Sequence, residues 1–319
     1  MTMTRINQLP CAPLVMAVAL SGLGWAQPAP STPCGPPGSF EAPRGLSISI
    51  DKSSGRARYR LDSGKLHIER PFPGVMEEVV QSCRIPGGRI LVFGKEETFF
   101  NIEILDAANG KISDSLGGYT PALSPDKGWI VARKFYPLHG VNASEEYLLY
   151  DLAKDREANR AGIPPRDTDA FGRVIYPIVL NAEPYPNVWL SADQTHVFRS
   201  KSFYWEDNSA AFLFADSVEY KGLSLVLVYT KQAGQRAWVH SVAPEDVCTG
   251  PDAADVPIYT LTLSEARIME LPGGLLVRAS FSSTDPRCAP RALELAPGEF
   301  TPAKLEVPGR PQPPVLEQQ

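Results

Sequence analysis

Residues 123–131, LSPDKGWIV, contain a strand, a tight turn and a second strand, and this unit recurs along the chain. Pro and Gly between two apolar runs favour a β-turn that joins two short strands. Residues 190–198 (LSADQTHVF) repeat the unit, and residues 85–93 (IPGGRILVF) and 271–277 (LPGGLLV) are looser copies. The recurrence predicts an architecture built from similar small units.

A second pattern alternates with the first: an apolar strand that ends in a turn near glycine. Asp62, Asp106 and Asp151 end three such strands and lie 44 and 45 residues apart. Thr230 takes the equivalent place in a fourth copy, 79 residues after Asp151. An Asp at the start of a turn caps backbone N–H groups, and an Asn-Gly pair supplies the positive φ that a tight hairpin needs.

The two patterns predict an all-β fold, a β-propeller of about five to six blades. One blade cannot bury both of its faces, whereas blades stacked in a closed ring can. The alternative is a two-sheet β-sandwich, which also has many short strands but does not predict this period. Residues 161–186 can supply a sixth blade, with a strand over residues 173–176. The other units fall near residues 42–70, 75–116, 118–160, 187–243 and 264–309.

The L-S-P-D-x-x-W-I pattern of residues 123–130, followed by an apolar strand that ends in Asp, resembles the blades of WD40-like propellers of the TolB type. In that family the first motif joins strands a and b of a blade, and the second joins strands c and d. The resemblance covers residues 75–160 well and residues 187–305 weakly. The usual Asp-Gly-Lys turn is here Asp126-Lys127-Gly128. The motifs imply a fold and not a function.

The N-terminus has the pattern of a secretory signal peptide over residues 1–26. An apolar, uncharged run follows Arg5, and Gly24-Trp25-Ala26 places small residues where a signal peptidase cuts. A Pro-rich arm is expected over residues 27–45, the propeller domain over 46–306 and a flexible Pro-rich tail over 307–319. We therefore expect a periplasmic or secreted protein.

Four cysteines remain after the predicted cleavage, an even number in an exported chain, and this predicts two disulfides. Three connectivities are possible, and we favour Cys34–Cys83 and Cys248–Cys288. The first would attach the N-terminal arm to the body, and the second would join two loops about one repeat apart. A zinc site is a weaker alternative, because the chain has no C-x-x-C pair.

The charge of the chain bears on its partners. The chain has 31 Lys and Arg against 36 Asp and Glu, a net charge of −5, and it has no basic run. This argues against nucleic acid as a partner and against anionic membrane surfaces. No integral membrane span is expected, since the apolar run near the N-terminus is shorter than the roughly 20 residues that cross a bilayer. A protein or another envelope component is the expected partner.

The sequence shows no set of catalytic residues, and we predict neither a metal nor a cofactor. Residues 124–127 match the serine–lysine pattern S-x-x-K, but that pattern needs a helix, and Pro125 and Asp126 favour a turn. The sequence contains no G-x-S-x-G, H-E-x-x-H, Walker or EF-hand motif.

The candidate ligand face combines aromatic residues with carboxylates. Tyr204, Trp205, Glu206 and Asp207 are expected in a long connection between strands b and c of the fourth blade, and His139 is expected in the same connection of the third. Connections of this type emerge on one face, where binding sites often form. The alternative is that the rings pack against the blade, which is the more common fate of apolar residues in loops.

Three functions remain open from the sequence. The leading hypothesis is an exported, non-enzymatic binding or assembly protein of the cell envelope with an unknown ligand. The competing hypothesis is a propeller hydrolase or lyase that acts on a sugar or lactone, with calcium as an optional cofactor in the central channel. The third is a structural envelope protein without a discrete ligand. A pocket lined by carboxylates and histidines from several blades would favour the enzyme.

Overall fold

The computed structural model describes residues 33–35, 38, 40–54, 56–64, 66–137, 143–152, 167–168, 174–178, 196–218, 222–230 and 237–303. The predicted signal peptide and the predicted tail lie outside these residues. In the described part of the chain, no helix is long and apolar enough to cross a membrane.

The first sheet has three antiparallel strands in chain order: β1 (Leu46–Asp51), β2 (Arg56–Ser63) and β3 (Leu66–Val75). The predicted Asp62 turn joins β2 to β3, and Gly64 adopts a φ of 61° there. Both β1 and β3 are edge strands. Pro71 and Pro73 lie in β3, which fits an edge position because proline has no N–H for a ladder.

The second and third sheets share one long strand, β7. The second sheet comprises β4 (Glu78–Ile85), β5 (Arg89–Glu96), β6 (Phe99–Asp106) and the first half of β7 (Ile112–Leu123). Strand β7 pairs with β6 as far as Gly118 and with the next strand from Tyr119, so it leaves one sheet and begins the next.

The third sheet continues from β7 with β8 (Trp129–Pro137), β9 (Ala143–Asp151), β10 (Asp167–Thr168) and β11 (Val174–Ile178). Strand β11 pairs with β9. The suggestion that residues 161–186 form a sixth blade is therefore wrong for the part that the structure describes. Strand β11 hydrogen-bonds to the edge of β9 that β8 leaves open, and so it extends the third sheet.

The fourth sheet contains β12 (His196–Phe198), β13 (Tyr204–Trp205), β14 (Ala211–Val218), β15 (Gly222–Tyr229), β16 (Ala237–Val242) and β22 (Thr301–Ala303). Strands β12 and β13 both pair with β14. The fifth sheet contains β18 (Leu261–Leu271), β19 (Gly274–Ser283) and β21 (Ala292–Leu295).

The connection from the fourth to the fifth sheet holds the short helical elements. These are the helix α1 (Pro244–Val247) and the 3-10 turns Ala253–Asp255 and Ile258–Thr260; a third 3-10 turn, Pro297–Glu299, follows β21. Strand β17 (Cys248–Thr249) pairs with β20 (Ala289–Pro290) beside α1.

Four apolar clusters join the sheets in chain order. One cluster lies between the first and second sheets, and the others lie between the second and third, the third and fourth, and the fourth and fifth. Strands β5 and β15 are buried on both faces, as inner strands of a stack must be. The all-β, propeller-type prediction is confirmed, and a two-sheet sandwich does not describe five stacked sheets.

The outer faces of the two end sheets are charged. In β2, buried Ala57, Tyr59 and Leu61 alternate with exposed arginines, and Arg58 pairs with Glu69 of β3 at 3.0 Å. On the fifth sheet, Arg278 pairs with Glu294 at 3.6 Å. As far as the structure describes the chain, none of the four clusters contains residues of both end sheets. Polar outer faces of this kind are typical of the terminal units of a stack.

Two disulfides form with the favoured connectivity, Cys34–Cys83 and Cys248–Cys288. The first ties the arm to β4, and the second joins β17 to the segment before β20. Disulfides persist in oxidising compartments, so the pairs indicate an environment outside the cytoplasm.

Candidate ligand-binding site

The predicted aromatic ligand residues lie in a hairpin and not in a long connection. Tyr204 and Trp205 form β13, which pairs with β14 through Leu213 and Phe212. Strand β14 occupies residues that the sequence analysis placed in that long connection, and its Phe212 and Phe214 are completely buried. The expected position of these residues between strands b and c is therefore wrong, because the chain turns back at residues 206–210.

The two rings of β13 are packed and hydrogen-bonded. The hydroxyl of Tyr204 donates to the carbonyl of Leu263 at 3.2 Å, and burial raises the pKa of the Tyr204 phenol. The Nε1 of Trp205 donates to the carbonyl of Ala122 at 3.3 Å, and its ring centroid lies 4.9 Å from that of Phe212. These contacts join the fourth sheet to the fifth and third sheets.

The two carboxylates of the stretch differ in exposure. Glu206 is 3% exposed, and its Oε2 accepts the N–H of Ala210 at 3.1 Å inside the turn. Asp207 is exposed. His139 lies outside the described residues. The structure thus brings Tyr204, Trp205 and Glu206 together as packing and turn residues, and their role as a ligand face stays a prediction.

Turns of neighbouring hairpins lie side by side on one rim of the stack: those at Gly88 and Gly128 belong to the predicted patterns, and that at residues 206–210 does not. In three sheets the residue that follows the last strand residue (Asp106, Asp151 or Tyr229) donates its N–H to a carbonyl of the other turn. These bonds run from Ala107 to Gly88 (2.9 Å), from Leu152 to Gly128 (2.8 Å) and from Thr230 to Ala210 (2.9 Å).

Hydrogen bonds on this rim also cross each junction between neighbouring sheets. The Arg89 guanidinium donates to the Leu152 carbonyl. The remaining three bonds run from the Tyr59 hydroxyl to the Gly110 carbonyl (2.6 Å), from the Asp126 N–H to Ser209 Oγ (2.9 Å) and from Asn208 Nδ2 to Glu270 Oε2 (3.2 Å).

An open pocket of about 490 Å³ lies at the first of these junctions, between the first and second sheets. We call it the Arg70 pocket. Its lining residues are Tyr59, Arg70, Pro71, Phe72, Pro73, Lys111 and Ile112.

Strand pairing and turn chemistry place the two cations of the pocket. Tyr59 and Arg70 are opposite each other in the β2–β3 ladder, so their side chains share one face of the sheet. Lys111 follows the turn that begins at Asp106, whose Oδ1 accepts the N–H of Ala108 at 2.8 Å. The N–H of Lys111 donates to Asn109 Oδ1 at 2.8 Å, which fixes the start of β7.

The wall of the pocket is an aromatic pair. The ring centroids of Tyr59 and Phe72 are 4.8 Å apart, and the two residues are 1% and 6% exposed. Burial raises the pKa of the Tyr59 phenol, so the hydroxyl stays protonated and donates to Gly110.

Two exposed cations line the pocket, and a buried carboxylate lies near it in the second sheet. Arg70 and Lys111 are exposed, and among the described residues neither forms an ion pair. Glu103 is 0% exposed, and its Oε1 accepts the Ser115 hydroxyl at 3.1 Å. Its neighbour Val92 packs in the cluster between the first two sheets, so Glu103 lies on the same side of the second sheet. The two cations and the apolar lining allow the pocket to hold an anionic group that carries an apolar neighbour.

Sequence reasoning did not find this pocket. Arg70 and Lys111 are 41 residues apart and belong to different sheets, so no local motif joins them. The usable signal was the position of Lys111 directly after the Asn-Gly turn, on the same rim as the other repeated turns.

The described residues contain no group of three or more His, Cys, Asp or Glu side chains placed to hold a metal ion.

Ser124 and Lys127 lie in the predicted turn: the Ser124 hydroxyl donates to Asp126 Oδ1 at 2.6 Å, and Lys127 has a φ of 58°.

No protein-family model matches the chain, and no curated protein matches it. Solved structures resemble it at low identity. Hydrazine synthase from Kuenenia stuttgartiensis has a TM-score of 0.35 and 13% identity, covering 76% of this chain and 62% of that one. The Dos1 propeller has a TM-score of 0.31 and 12% identity, covering 79% and 56%.

TolB from Acinetobacter baumannii has a TM-score of 0.20 and 10% identity, covering 80% of this chain and 64% of that one. The chain thus spans less than two thirds of the length of each of these three proteins. The likenesses are distant, they include a propeller, and they carry no argument about activity.

Proposed function

We propose that the chain is an exported, non-enzymatic binding or assembly protein of the cell envelope, and that it holds its partner at the Arg70 pocket. The observation that carries the proposal is the pair of exposed cations beside an apolar wall, neither of which forms an ion pair with a described residue. Concave sites with a few convergent polar groups are the usual places where proteins bind ligands.

The surroundings of the pocket support a binding role. The β2–β3 ladder holds Tyr59 and Arg70 in place, and the hydrogen bond from the Tyr59 hydroxyl to the Gly110 carbonyl fixes the first sheet against the turn that precedes Lys111. A preorganised site loses less entropy when it binds, and this favours affinity.

Export is the second part of the proposal. The two disulfides and the predicted signal peptide agree on an oxidising compartment, periplasmic or extracellular. Cleavage after Ala26 leaves Gln27 at the N-terminus, which intact-mass analysis of the envelope fraction would detect. A full-length N-terminus in that fraction would contradict the cleavage.

Photo-cross-linking in the native host tests the binding role. Replacing exposed Pro73 by p-benzoylphenylalanine places a reactive group at the pocket mouth, and we expect a discrete envelope-protein adduct on gels. The matched control carries the same amino acid at Asp252, which is exposed in the connection between the fourth and fifth sheets.

The adduct should disappear when Arg70→Gln and Lys111→Gln are added to the Pro73 variant. Failure to form any adduct at Pro73, or equal adducts at Pro73 and Asp252, would overturn the proposed site.

A further inference from the structure

We propose that the Arg70 pocket recognises an acidic peptide segment, in which a carboxylate lies next to an aliphatic side chain. This inference rests on the proposed function and names the ligand class of its site. The carboxylate would bind between Arg70 and Lys111, and the aliphatic group would pack on the apolar wall.

The two exposed cations that line the pocket point to an anion. Two other exposed arginines of the first sheet have a carboxylate partner, in Arg58–Glu69 at 3.0 Å and Arg60–Asp62 at 2.7 Å. Arg70 and Lys111 have none among the described residues, although the chain as a whole is acidic with a net charge of −5. A planar guanidinium suits a carboxylate, because it can donate two parallel hydrogen bonds.

The wall of the pocket favours an aliphatic group over a sugar. Sugars stack on exposed ring faces, but Tyr59 and Phe72 are 1% and 6% exposed. The apolar surface that remains accessible comes from Pro71, Pro73 and Ile112. Apolar burial is non-directional, so methyl and methylene groups of a ligand can pack on this surface.

The edge of β3 limits how a peptide can bind. Pro71 and Pro73 have no N–H, so they cannot donate to an added strand. The peptide would therefore contact the pocket through its side chains and not by extending the sheet.

A membrane surface is a poorer fit for the pocket. Attraction to anionic lipid headgroups takes clusters of about four to eight Lys or Arg. The pocket has two cations.

Fluorescence anisotropy with defined probes tests the ligand class. The disulfide-bonded protein is titrated into a fluorescein-labelled peptide Gly-Leu-Glu-Leu-Glu-Gly and into its Gln counterpart Gly-Leu-Gln-Leu-Gln-Gly. We expect the acidic peptide to bind at least about tenfold more tightly than the neutral one, and to weaken as salt is raised from 50 to about 500 mM.

The double variant Arg70→Gln with Lys111→Gln should weaken binding of the acidic peptide by about tenfold or more. The control Arg44→Gln with Lys52→Gln removes the same charge from exposed residues outside the pocket and should leave binding within about twofold. Circular dichroism confirms that both variants are folded.

Two results would overturn the inference: equal binding of the two peptides, or equal losses in the two double variants. Binding of oligogalacturonate or of phosphatidylglycerol vesicles that depends on Arg70 and Lys111, without binding of the acidic peptide, would also overturn it. If the Pro73 adduct still forms in those cases, the binding role stands and the ligand class is wrong. If no adduct forms, both fail.

Discussion

Ser209 shows how a single residue can join two sheets. It is 0% exposed, has a φ of 59°, accepts the N–H of Asp126 on its Oγ at 2.9 Å, and accepts the Thr230 hydroxyl on its carbonyl at 2.7 Å. A residue with a side chain is strained in this left-handed region, so these bonds have to offset the strain. We infer that the Ser209 side chain contributes net stability to the junction of the third and fourth sheets.

Replacing Ser209 separates the strain from the hydrogen bond. Ser209→Ala keeps the strain and removes the acceptor of the Asp126 N–H, and should lower the free energy of unfolding by about 1–3 kcal/mol. Ser209→Gly loses the same bond but relieves the strain, so its loss should be smaller by about 1 kcal/mol. Urea unfolding measures both, with exposed Ser47→Ala as a near-neutral control. A greater loss for the Gly variant than for the Ala variant would contradict this account.

Asp51 gives a prediction about pH. The hydroxyls of Ser53 and Ser54 donate to its carboxylate at 2.6 and 2.7 Å, and these bonds lower the pKa of Asp51 from 3.8 to about 2. Because the folded-state pKa is below the ordinary value, the stabilising contribution is complete above pH 3.8 and disappears as the pH falls through about 2. The turn after β1 should therefore loosen only in strong acid.

An NMR titration of the Asp51 carboxyl carbon tests this assignment. Ser53→Ala removes the largest cause of the shift and should move the pKa of Asp51 back towards 3.8. Ser49→Ala lies on the same strand but is not one of the two described serines that bond to Asp51, and it should leave the pKa of Asp51 unchanged. An unchanged pKa in the Ser53 variant would mean that another group lowers it.

At the scale of elements, the sequence predicted turns better than it predicted the strands between them. The turns at Asp62, Asp106 and Pro125 were recognised because Asp, Pro and Gly set local backbone angles. The β13–β14 hairpin was missed because Ser209 takes the left-handed position where glycine would have marked a turn. Asp207-Asn208 between two apolar runs is the signal in the sequence for this turn, but the same two residues are equally common in longer loops.

The N-terminal arm is an element that depends on its disulfide. Beside the Cys34–Cys83 bond, the carbonyl of Pro33 accepts the N–H of Leu123 at 2.9 Å, and that of Glu41 accepts the N–H of Arg84 at 2.9 Å. Phe40 packs on the cluster between the second and third sheets. The arm thus covers the edge of β4 and reaches the third sheet.

Replacing Cys34 and Cys83 by serine should lower the free energy of unfolding by about 2–4 kcal/mol and free the arm. Chymotrypsin should then cut after Phe40 faster than in the natural protein, as mass spectrometry would show. The control Cys248→Ser with Cys288→Ser should also lose stability while Phe40 stays protected, since that bond lies near β17 and β20. Equal cutting after Phe40 in the natural protein and in the Cys34/Cys83 variant would show that the arm stays packed against the second and third sheets without the disulfide.

At the scale of the whole molecule, the stack could be predicted from the sequence but the pocket could not. The repeat of about 40–45 residues follows from turn residues that act locally, and it gave the sheets nearly in their observed places. The Arg70 pocket exists because the first sheet packs on the second, and no sequence period specifies the side chains that this packing brings together. The same packing makes the first sheet different from the inner ones. Within the described residues, apolar packing covers one face of the first sheet, and its cluster has the fewest fully buried residues of the four.

Native-state hydrogen exchange can show whether the first sheet opens by itself. The outer face of the first sheet is charged, and its inner face packs against the second sheet through a single apolar cluster. The amides of β2 should therefore exchange at least about tenfold faster than those of β5 or β15, which are buried on both faces. Leu61→Ala weakens that cluster and should accelerate exchange in β1–β3 alone. Leu91→Ala removes the same side chain from the other face of the second sheet and should accelerate exchange in the second and third sheets. If Leu61→Ala speeds every strand equally, the five sheets unfold as one cooperative unit, and the first sheet cannot open the pocket without unfolding the rest.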